Sequence, residues 1–256
     1  MPSPAPEIRV VEDEDALARA AAEEFVAAAT GAVRRTSAAS VALSGGSTPR
    51  RLYALLASPS YRERIPWGGI HFFFGDERCV PPDDSQSNFR MASEAMLSHV
   101  PVPPANIHRI PAEDPDPDRA AARYEEDLRR HFGLSGDASP RFDLALLGLG
   151  PDGHTASLFP GTKALHETRR LAVSNWVGKF AAWRITLTVP VFNTAASVLF
   201  LVRGEDKATA LKSVLEGPAE PEQLPAQLIR PAGGSLLWLV DRDAAALLSP
   251  SLTASG

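Results

Sequence analysis

The 256-residue sequence contains one cysteine, Cys79, and no apolar run approaching the roughly 20 residues that a membrane-spanning helix requires. A single cysteine cannot form an intramolecular disulfide, and it excludes metal sites that need several thiolates. The first residues also lack the basic segment and the apolar segment of a secretory signal peptide. We therefore expect a protein that does not enter a membrane and that resides in the cytoplasm.

Basic residues are in the minority. Lysine and arginine number 26 against 31 acidic residues, which gives a net charge of -5. Proteins that bind nucleic acids usually carry an excess of positive charge, so the composition gives no support for a nucleic-acid partner. The 23 prolines lie in short connections, none of which is long enough to be an interdomain linker. We predict one domain over residues 1–256, acting as a monomer.

Strand-like and helix-like patterns alternate along the chain. Short apolar runs predict strands at 8–11, 40–43, 70–74, 142–147, 185–189, 198–202 and 236–240. Helices are predicted around 17–28, after Thr48 as N-cap with Pro49 in first position, at 85–99, 118–132 and 206–215, and in an alanine-rich segment near the carboxyl end. Parallel neighbouring strands need crossover helices. The sequence therefore predicts an α/β fold with a mostly parallel, Rossmann-like sheet and helices on both faces.

Three polar segments directly follow predicted strands, at 44–48, 76–78 and 148–155. In open α/β sheets, ligands bind beyond the carboxyl ends of the strands. We therefore expect these segments to meet at one edge of the sheet and to form the functional site together.

The first segment is Ser44-Gly45-Gly46-Ser47-Thr48, at the start of a predicted helix. Free backbone N–H groups and the helix dipole favour an anion at such a position, so a phosphate or sugar hydroxyls can dock there. A tight turn with an N-cap is the alternative interpretation. No Gly-Lys-Ser or Gly-Lys-Thr follows, which excludes a nucleotide-binding P-loop.

The second segment places Asp76 and Arg78 at the end of a very apolar strand. An aspartate can hold sugar hydroxyls, and an arginine can clamp a phosphate or a carboxylate. A solvated loop is the alternative for charges at a strand end.

The third segment satisfies the dinucleotide pattern Gly-x-Gly-x-x-Gly over residues 148–153. That pattern should open a regular crossover helix, whereas Pro160-Gly161 interrupts the chain soon afterwards, so we reject nicotinamide dinucleotide binding. What remains near Gly150 is a carboxylate, Asp152, and an imidazole, His154. A histidine has an ordinary pKa of about 6.5 and is a natural general base, which Asp152 can orient.

Other chemistries lack their residues. No Gly-x-Ser-x-Gly elbow supplies a serine nucleophile, and Ser157 is expected to cap or pack. No pair of histidines has metal-ligand spacing, so we predict no metal. Further basic candidates are Lys179, Arg184 and Lys207, for which solvated surface positions are the alternative.

These motifs, in this order, resemble the 6-phosphogluconolactonase family, which is related to the glucosamine-6-phosphate isomerases and deaminases. The resemblance extends from about Val41 to Asp241. It rests on Leu43-Ser44-Gly45-Gly46-Ser47-Thr48-Pro49, Gly75-Asp76-Glu77-Arg78, Ser87-Asn88, Gly148-Leu149-Gly150-Pro151-Asp152-Gly153-His154-Thr155-Ala156-Ser157-Leu158-Phe159-Pro160, Arg184-Ile185-Thr186-Leu187-Thr188, Gly204-Glu205-Asp206-Lys207 and Leu224-Pro225-Ala226-Gln227.

The resemblance implies hydrolysis of 6-phospho-D-glucono-1,5-lactone to 6-phosphogluconate in the pentose phosphate pathway, without a metal or an organic cofactor. It implies that His154 is the general base and that Asp152 orients it or the substrate. The loop at 44–48 would supply backbone donors, and Arg78, Arg184 and Lys179 would engage the phosphate. The family usually has prolines before Arg-x-Thr-Leu, whereas this chain has Phe180-Ala181-Ala182-Trp183. Because of this departure, the resemblance supports the role of Arg184 more strongly than that of Lys179.

Two alternative functions remain open at this point. The related deaminases continue after the histidine with Ile-Ala-Phe-Asn-Glu, whereas this chain has Thr155-Ala156-Ser157-Leu158-Phe159 and thus no glutamate to assist ring opening. Deaminases also tend to carry tyrosine where this chain has Arg78. A non-catalytic sugar-phosphate sensor would need a DNA-binding segment, for which we expect no room before Ile8. Lactone hydrolysis is therefore the favoured prediction.

Overall fold

The computed structural model describes residues 6–253 of the chain. Within that range it has ten strands: β1 (Glu7–Val11), β2 (Ala39–Leu43), β3 (Ile70–Phe74), β4 (Asp76–Arg78), β5 (Ile107–His108), β6 (Leu144–Gly148), β7 (Ala172–Val177), β8 (Ala182–Leu187), β9 (Ser197–Val202) and β10 (Ser235–Asp241). The α-helices of the same range are α1 (Glu14–Thr36), α2 (Ser47–Leu56), α3 (Pro59–Arg62), α4 (Asn88–Ala92), α5 (Pro117–Phe132), α6 (Val189–Asn193), α7 (Ala208–Glu216) and α8 (Pro250–Thr253).

Seven strands form one parallel sheet in the order β1-β10-β9-β6-β2-β3-β5. Both faces of this sheet are covered, because successive strand residues point in opposite directions and each finds a partner. Phe72 stacks on Phe25 of α1 with ring centroids 6.4 Å apart, whereas its neighbour Phe73 meets Phe132 of α5 at 5.8 Å. The predicted fold class is confirmed.

A second, three-stranded sheet lies beside the first in the order β4-β8-β7, and both of its pairings are antiparallel. The strand predicted at 185–189 is observed as β8, three residues earlier at its start, and it pairs with β4 and β7 rather than with the parallel sheet. Strand β4 is Asp-Glu-Arg, which has no apolar pattern to reveal it, and it forms through its hydrogen bonds to β8. This small sheet brings residues 76–78 and 184–186 together.

Two predicted helix features were wrong. Helix α2 begins at Ser47 with Gly46 as N-cap and no side-chain cap, so Thr48 lies inside its first turn. The alanine-rich segment after β10 forms turns rather than a helix, and the Asp241 carboxylate accepts hydrogen bonds there from the backbone N–H groups of Ala244 and Gly204. In helix α2, by contrast, no side chain of the described residues caps the N-terminal turn.

The helix predicted at 118–132 is confirmed as α5, which starts one residue earlier. Asp116 caps it by accepting from the backbone N–H groups of Asp118 and Arg119. Residues 85–99 contain α4 followed by a π-helical turn at Ser93–Leu97. Across residues 6–253, no helix has the length and apolar character needed to cross a membrane.

Candidate active site

A cleft opens at the carboxyl ends of β2, β3 and β6, where the three polar segments meet as predicted. From these segments its wall takes residues 44–48, Asp76, Arg78, residues 148–151 and His154. Its volume is about 240 Å³. Sites for drug-sized ligands are larger, at about 300–1,000 Å³. The cleft therefore suits one small polar metabolite.

His154, which lines this cleft, forms a hydrogen-bonded pair with Asp152. Nδ1 of His154 contacts Oδ1 of Asp152, while Oδ2 of the same carboxylate accepts from Nζ of Lys179 at 2.9 Å. Phe159 stacks on the imidazole with ring centroids 4.0 Å apart, which fixes the plane of the ring. With Nδ1 engaged by the carboxylate, Nε2 is the ring nitrogen that remains for water or substrate.

The ionisation of this pair suits a general base. Burial disfavours the charged form of Asp152, but hydrogen bonds from His154 and Lys179 outweigh it and lower the pKa of Asp152 to about 2. Burial also lowers the pKa of His154 below its ordinary value, although Asp152 raises it in part. At neutral pH the arrangement is therefore a carboxylate beside a neutral imidazole, which can accept a proton.

Gly150 makes this pair possible by its lack of a side chain. A Cβ atom at position 150 would lie 2.0 Å from Nδ1 and 2.1 Å from Cε1 of His154. The backbone N–H of Gly150 also donates to the carbonyl oxygen of His154 at 2.8 Å, which closes the loop. The sequence pattern that mimics a nucleotide-binding loop thus allows the imidazole of His154 to approach the backbone of Gly150.

We expect Gly150→Ala to lower kcat by about 10²-fold, the usual scale for a lost general base, because the added methyl group must displace the imidazole from Asp152. The measurement is kcat at saturating substrate, with circular dichroism to confirm folding. Gly68→Ala is the matched control, since a Cβ atom there would have nothing within 4 Å. Wild-type kcat in Gly150→Ala would show that the close approach has no role.

Asp76 lies across the cleft from His154 and is held by a buried polar network. The hydroxyl of Ser157 donates to Oδ2 of Asp76 at 2.6 Å, and Nδ2 of Asn88 donates to its backbone oxygen at 3.0 Å. Asp76 is 6% exposed, yet its electrostatic influence reaches His154. Ser157 therefore positions an acidic residue, which refines the expectation that it caps or packs.

The loop at 44–48 is fixed from beneath by Tyr53. The tyrosine hydroxyl donates to the backbone oxygen of Ser44 at 2.8 Å and accepts from its N–H at 3.0 Å. Gly45 allows the contact with Asn88, because a Cβ atom at position 45 would lie 1.9 Å from the amide oxygen of that side chain. The uncapped first turn of α2 consequently faces the cleft with backbone N–H groups available to an anion.

Arg78 and Arg184 face each other across the β4–β8 ladder. They are register partners, so both side chains lie on the same face of the small sheet as Asp76. The Nε atom of each is buried and has no hydrogen-bond partner among residues 6–253. Burial lowers the pKa of Arg184, and the neighbouring charge of Arg78 lowers it further. The two guanidinium groups carry like charges, and each has a buried N–H group without an acceptor in the part of the chain that the structure describes. A bound anion would stabilise such a pair.

The remaining basic candidates lie around this centre. Lys179 and Arg184 both lie over the ring of Phe180, at 5.6 and 5.2 Å from its centroid, and Lys179 contacts Asp152. Lys207 and Arg203 line the opposite wall of the cleft, but each already pairs with a carboxylate, Asp206 and Glu14 respectively. Asp152, Lys179 and Arg184 do not line the cleft themselves, and Asp152 is linked to it through His154.

Sequence reasoning missed several residues that build the site. Asn88 was noted only as part of a motif, and Arg203 was not considered. Glu77 accepts hydrogen bonds from the backbone N–H groups of Arg78, Asn88 and Phe89, and so it fastens β4 to α4. Burial raises the pKa of Glu77, while those hydrogen bonds favour its charged form. The sequence signal for Glu77 was its place in an acidic pair directly after an apolar strand.

Comparison with known proteins agrees with this geometry. A family model described as glucosamine-6-phosphate isomerases/6-phosphogluconolactonase matches residues 12–238. The chain belongs to this family. A 6-phosphogluconolactonase of Synechocystis sp. is 43% identical over 247 residues, which cover 96% of this chain and 100% of the relative.

Solved structures of the glucosamine-6-phosphate isomerase/6-phosphogluconolactonase family share the fold. The 6-phosphogluconolactonase from Trypanosoma cruzi gives a TM-score of 0.84 at 30% identity, over 97% of this chain and 98% of that one. A monomeric glucosamine-6-phosphate deaminase gives 0.79 at 22% identity, over 94% and 99% of the two chains. Since both structures share the fold, the residues of the cleft must separate the two activities.

Proposed function

We propose that this chain hydrolyses 6-phospho-D-glucono-1,5-lactone to 6-phospho-D-gluconate, the lactone-opening step of the oxidative pentose phosphate pathway. The names of its relatives support the substrate. The observation that carries the proposal is the hydrogen-bonded pair of His154 and Asp152 in a cleft bordered by Arg78 and Arg184, which face each other. The cleft thus combines a base for water with a site for the phosphate of the substrate.

His154 acts first as a base and then as an acid. Its Nε2 takes a proton from water as the water oxygen bonds to C1 of the lactone, which gives a tetrahedral intermediate with a negative oxygen. The bond between C1 and the ring oxygen then breaks, and the imidazolium returns the proton to that oxygen. Asp152 keeps Nδ1 protonated throughout and stabilises the transient imidazolium, as a carboxylate does in hydrolytic triads.

The phosphate of the substrate binds at the two arginines in this proposal. The two guanidinium groups are cross-strand partners, and a phosphate dianion supplies several oxygens that accept charge-assisted hydrogen bonds from such groups. Lys179, beside Phe180, adds positive charge next to Arg184. The backbone N–H groups at the start of α2 are then available to the sugar hydroxyls and the developing oxyanion.

Amino-sugar deamination is less compatible with the same cleft. The five residues after His154 contain no carboxylate, and the last of them, Phe159, packs its ring against the imidazole. A group that shuttles a proton to open a pyranose ring is therefore missing from that segment. Water addition to a lactone that is already reactive needs only the base and its orienting carboxylate.

Parallel assays test this assignment. Freshly prepared 6-phosphogluconolactone is expected to be consumed well above its spontaneous hydrolysis, whereas glucosamine 6-phosphate should release no ammonia. Ammonia release without lactone turnover would replace the proposed reaction by deamination. Binding of sugar phosphates without turnover of either would favour a sensor.

The decrease of kcat at low pH, the acid limb of the pH profile, should reflect protonation of the His154 imidazole. We expect kcat to fall as the pH drops through a pKa below the ordinary 6.5, since the imidazolium cannot accept a proton. In Asp152→Asn this limb should move to lower pH, because the carboxylate raises the pKa of the imidazole. Measuring kcat at saturation avoids the second ionisation of the phosphate, which lies near about pH 6 for phosphate esters. An unmoved limb in Asp152→Asn would assign it to another group.

We also propose that the chain functions as a single-domain monomer in the cytoplasm. The base, its orienting carboxylate and the two arginines can all be supplied by one chain, which supports this proposal. Sedimentation of the active protein at the mass of one chain is expected, and a stable dimer that dissociates with loss of activity would contradict it.

A further inference from the structure

Three histidines from separate elements meet at the end of the sheet remote from the cleft. His71 lies on β3, His108 on β5 and His131 in the last turn of α5, and one ring nitrogen of each lies within 4.8 Å of the others. Within residues 6–253 this is the one group of three potential metal ligands so arranged. His71 precedes Asp76 by five strand residues, or about 16 Å along an extended chain, so the cluster is separate from the cleft.

We propose that His71, His108 and His131 form a binding site for a divalent transition-metal ion, with Zn²⁺ as its principal occupant and water as the fourth ligand. Zinc sites with three imidazoles and one open position are an established type. This assignment replaces the expectation of no metal, which rested on spacing along the sequence. It is independent of the proposed lactone hydrolysis.

The spacing of the nitrogens fits a metal ion with little rearrangement. Nδ1 of His71 is 3.1 Å from Nε2 of His108. In a tetrahedral zinc site with bonds of about 2.0–2.1 Å, ligand nitrogens lie about 3.4 Å apart, so the widest gap here must close by at most about 1.5 Å. A small rotation of one side chain covers such a distance.

The groups around the rings resemble the supports of a metal site. Oδ2 of Asp127 lies 2.8 Å from Nδ1 of His108, which leaves Nε2 of that ring directed at His71. A carboxylate behind a ligating histidine fixes its tautomer and strengthens its donation to the metal. The hydroxyl of Ser40 lies 3.0 Å from Nε2 of His131 and anchors the third ring.

A metal ion must also be able to reach the three rings from solvent. All three residues are only partly buried, so an ion can reach them.

Equilibrium dialysis of the chelator-stripped protein against Zn²⁺, followed by metal analysis, tests the site. One equivalent is expected to bind to the wild type, and Co²⁺ in its place should give the visible spectrum of a four-coordinate site. His131→Asn should lose both signals, and Asp127→Asn should weaken binding by about 10- to 100-fold. Zn²⁺ should raise the thermal unfolding temperature of the wild type and leave that of His131→Asn unchanged.

Two controls locate the metal. His154→Asn removes the imidazole of the cleft and His99→Asn removes an exposed histidine outside the cluster, and both should keep the full equivalent. Absence of Zn²⁺ binding by the folded wild type would overturn the proposal, whatever the variants do. Retention of the equivalent in a folded His131→Asn, or its loss in His154→Asn, would overturn it as well.

Discussion

Replacing His154 by alanine is expected to lower kcat for 6-phosphogluconolactone by about 10²-fold or more, the usual contribution of a general base. The imidazole is the group that holds the proton between water attack and ring opening, and Asp152 cannot replace it because its pKa is lowered to about 2. KM should change little, since the arginines and the α2 loop remain. Folding should persist, because the His154 side chain is 22% exposed and lies in a loop.

The assay for His154→Ala must subtract spontaneous opening of the lactone in water. His166→Ala is a suitable control, since that side chain is 67% exposed and its nearest carboxylate, on Glu222, is 3.5 Å away. The control should retain wild-type kcat. If His154→Ala turned over at the wild-type rate, the base would have to be another group, and Asp76 would be the next candidate.

The second large effect is expected at the arginine pair. Arg184→Gln should raise KM for the phosphorylated lactone by about 10- to 100-fold, which corresponds to the roughly 1.5–3 kcal/mol of a hydrogen bond to a charged group. The effect should shrink strongly for unphosphorylated gluconolactone, because the lost interaction concerns the phosphate. The measurement is the ratio of the two KM values in the wild type and in the variant.

Lys207→Gln is the matched comparison for Arg184→Gln. Lys207 lines the same cleft from the opposite wall, near the start of α2, and already pairs with Asp206. We expect it to affect the two substrates more evenly. A loss specific to the phosphorylated substrate in Lys207→Gln, but not in Arg184→Gln, would move the phosphate to the α2 end of the cleft.

The fold was predictable where apolar periodicity decides it. Strand β3 was predicted to the residue, and α5 to within one position, because a buried apolar run and an amphipathic helix are local signals. Strands β4 and β5 were not, since a three-residue charged strand and a two-residue strand exist only through their pairing partners. The antiparallel placement of β8 was missed for the same reason.

The sequence predicted which segments form the candidate site better than it predicted the contacts between them. Since ligands bind beyond the carboxyl ends of parallel strands, three polar segments that each follow a strand are expected to meet at one edge of the sheet. The support of Asp76 by Ser157 joins residues 81 positions apart, and the histidine cluster joins three elements. Such contacts depend on the completed fold, and no spacing along one chain reveals them.

A crystal structure of the protein with 6-phosphogluconate tests the central claim most directly, since the product carries both the phosphate and the new carboxylate. The account predicts that phosphate oxygens accept hydrogen bonds from the guanidinium groups of Arg78 and Arg184. It predicts that the C1 carboxylate lies within hydrogen-bond distance of Nε2 of His154. A phosphate held by Lys207 instead, or a carboxylate out of reach of His154, would contradict it.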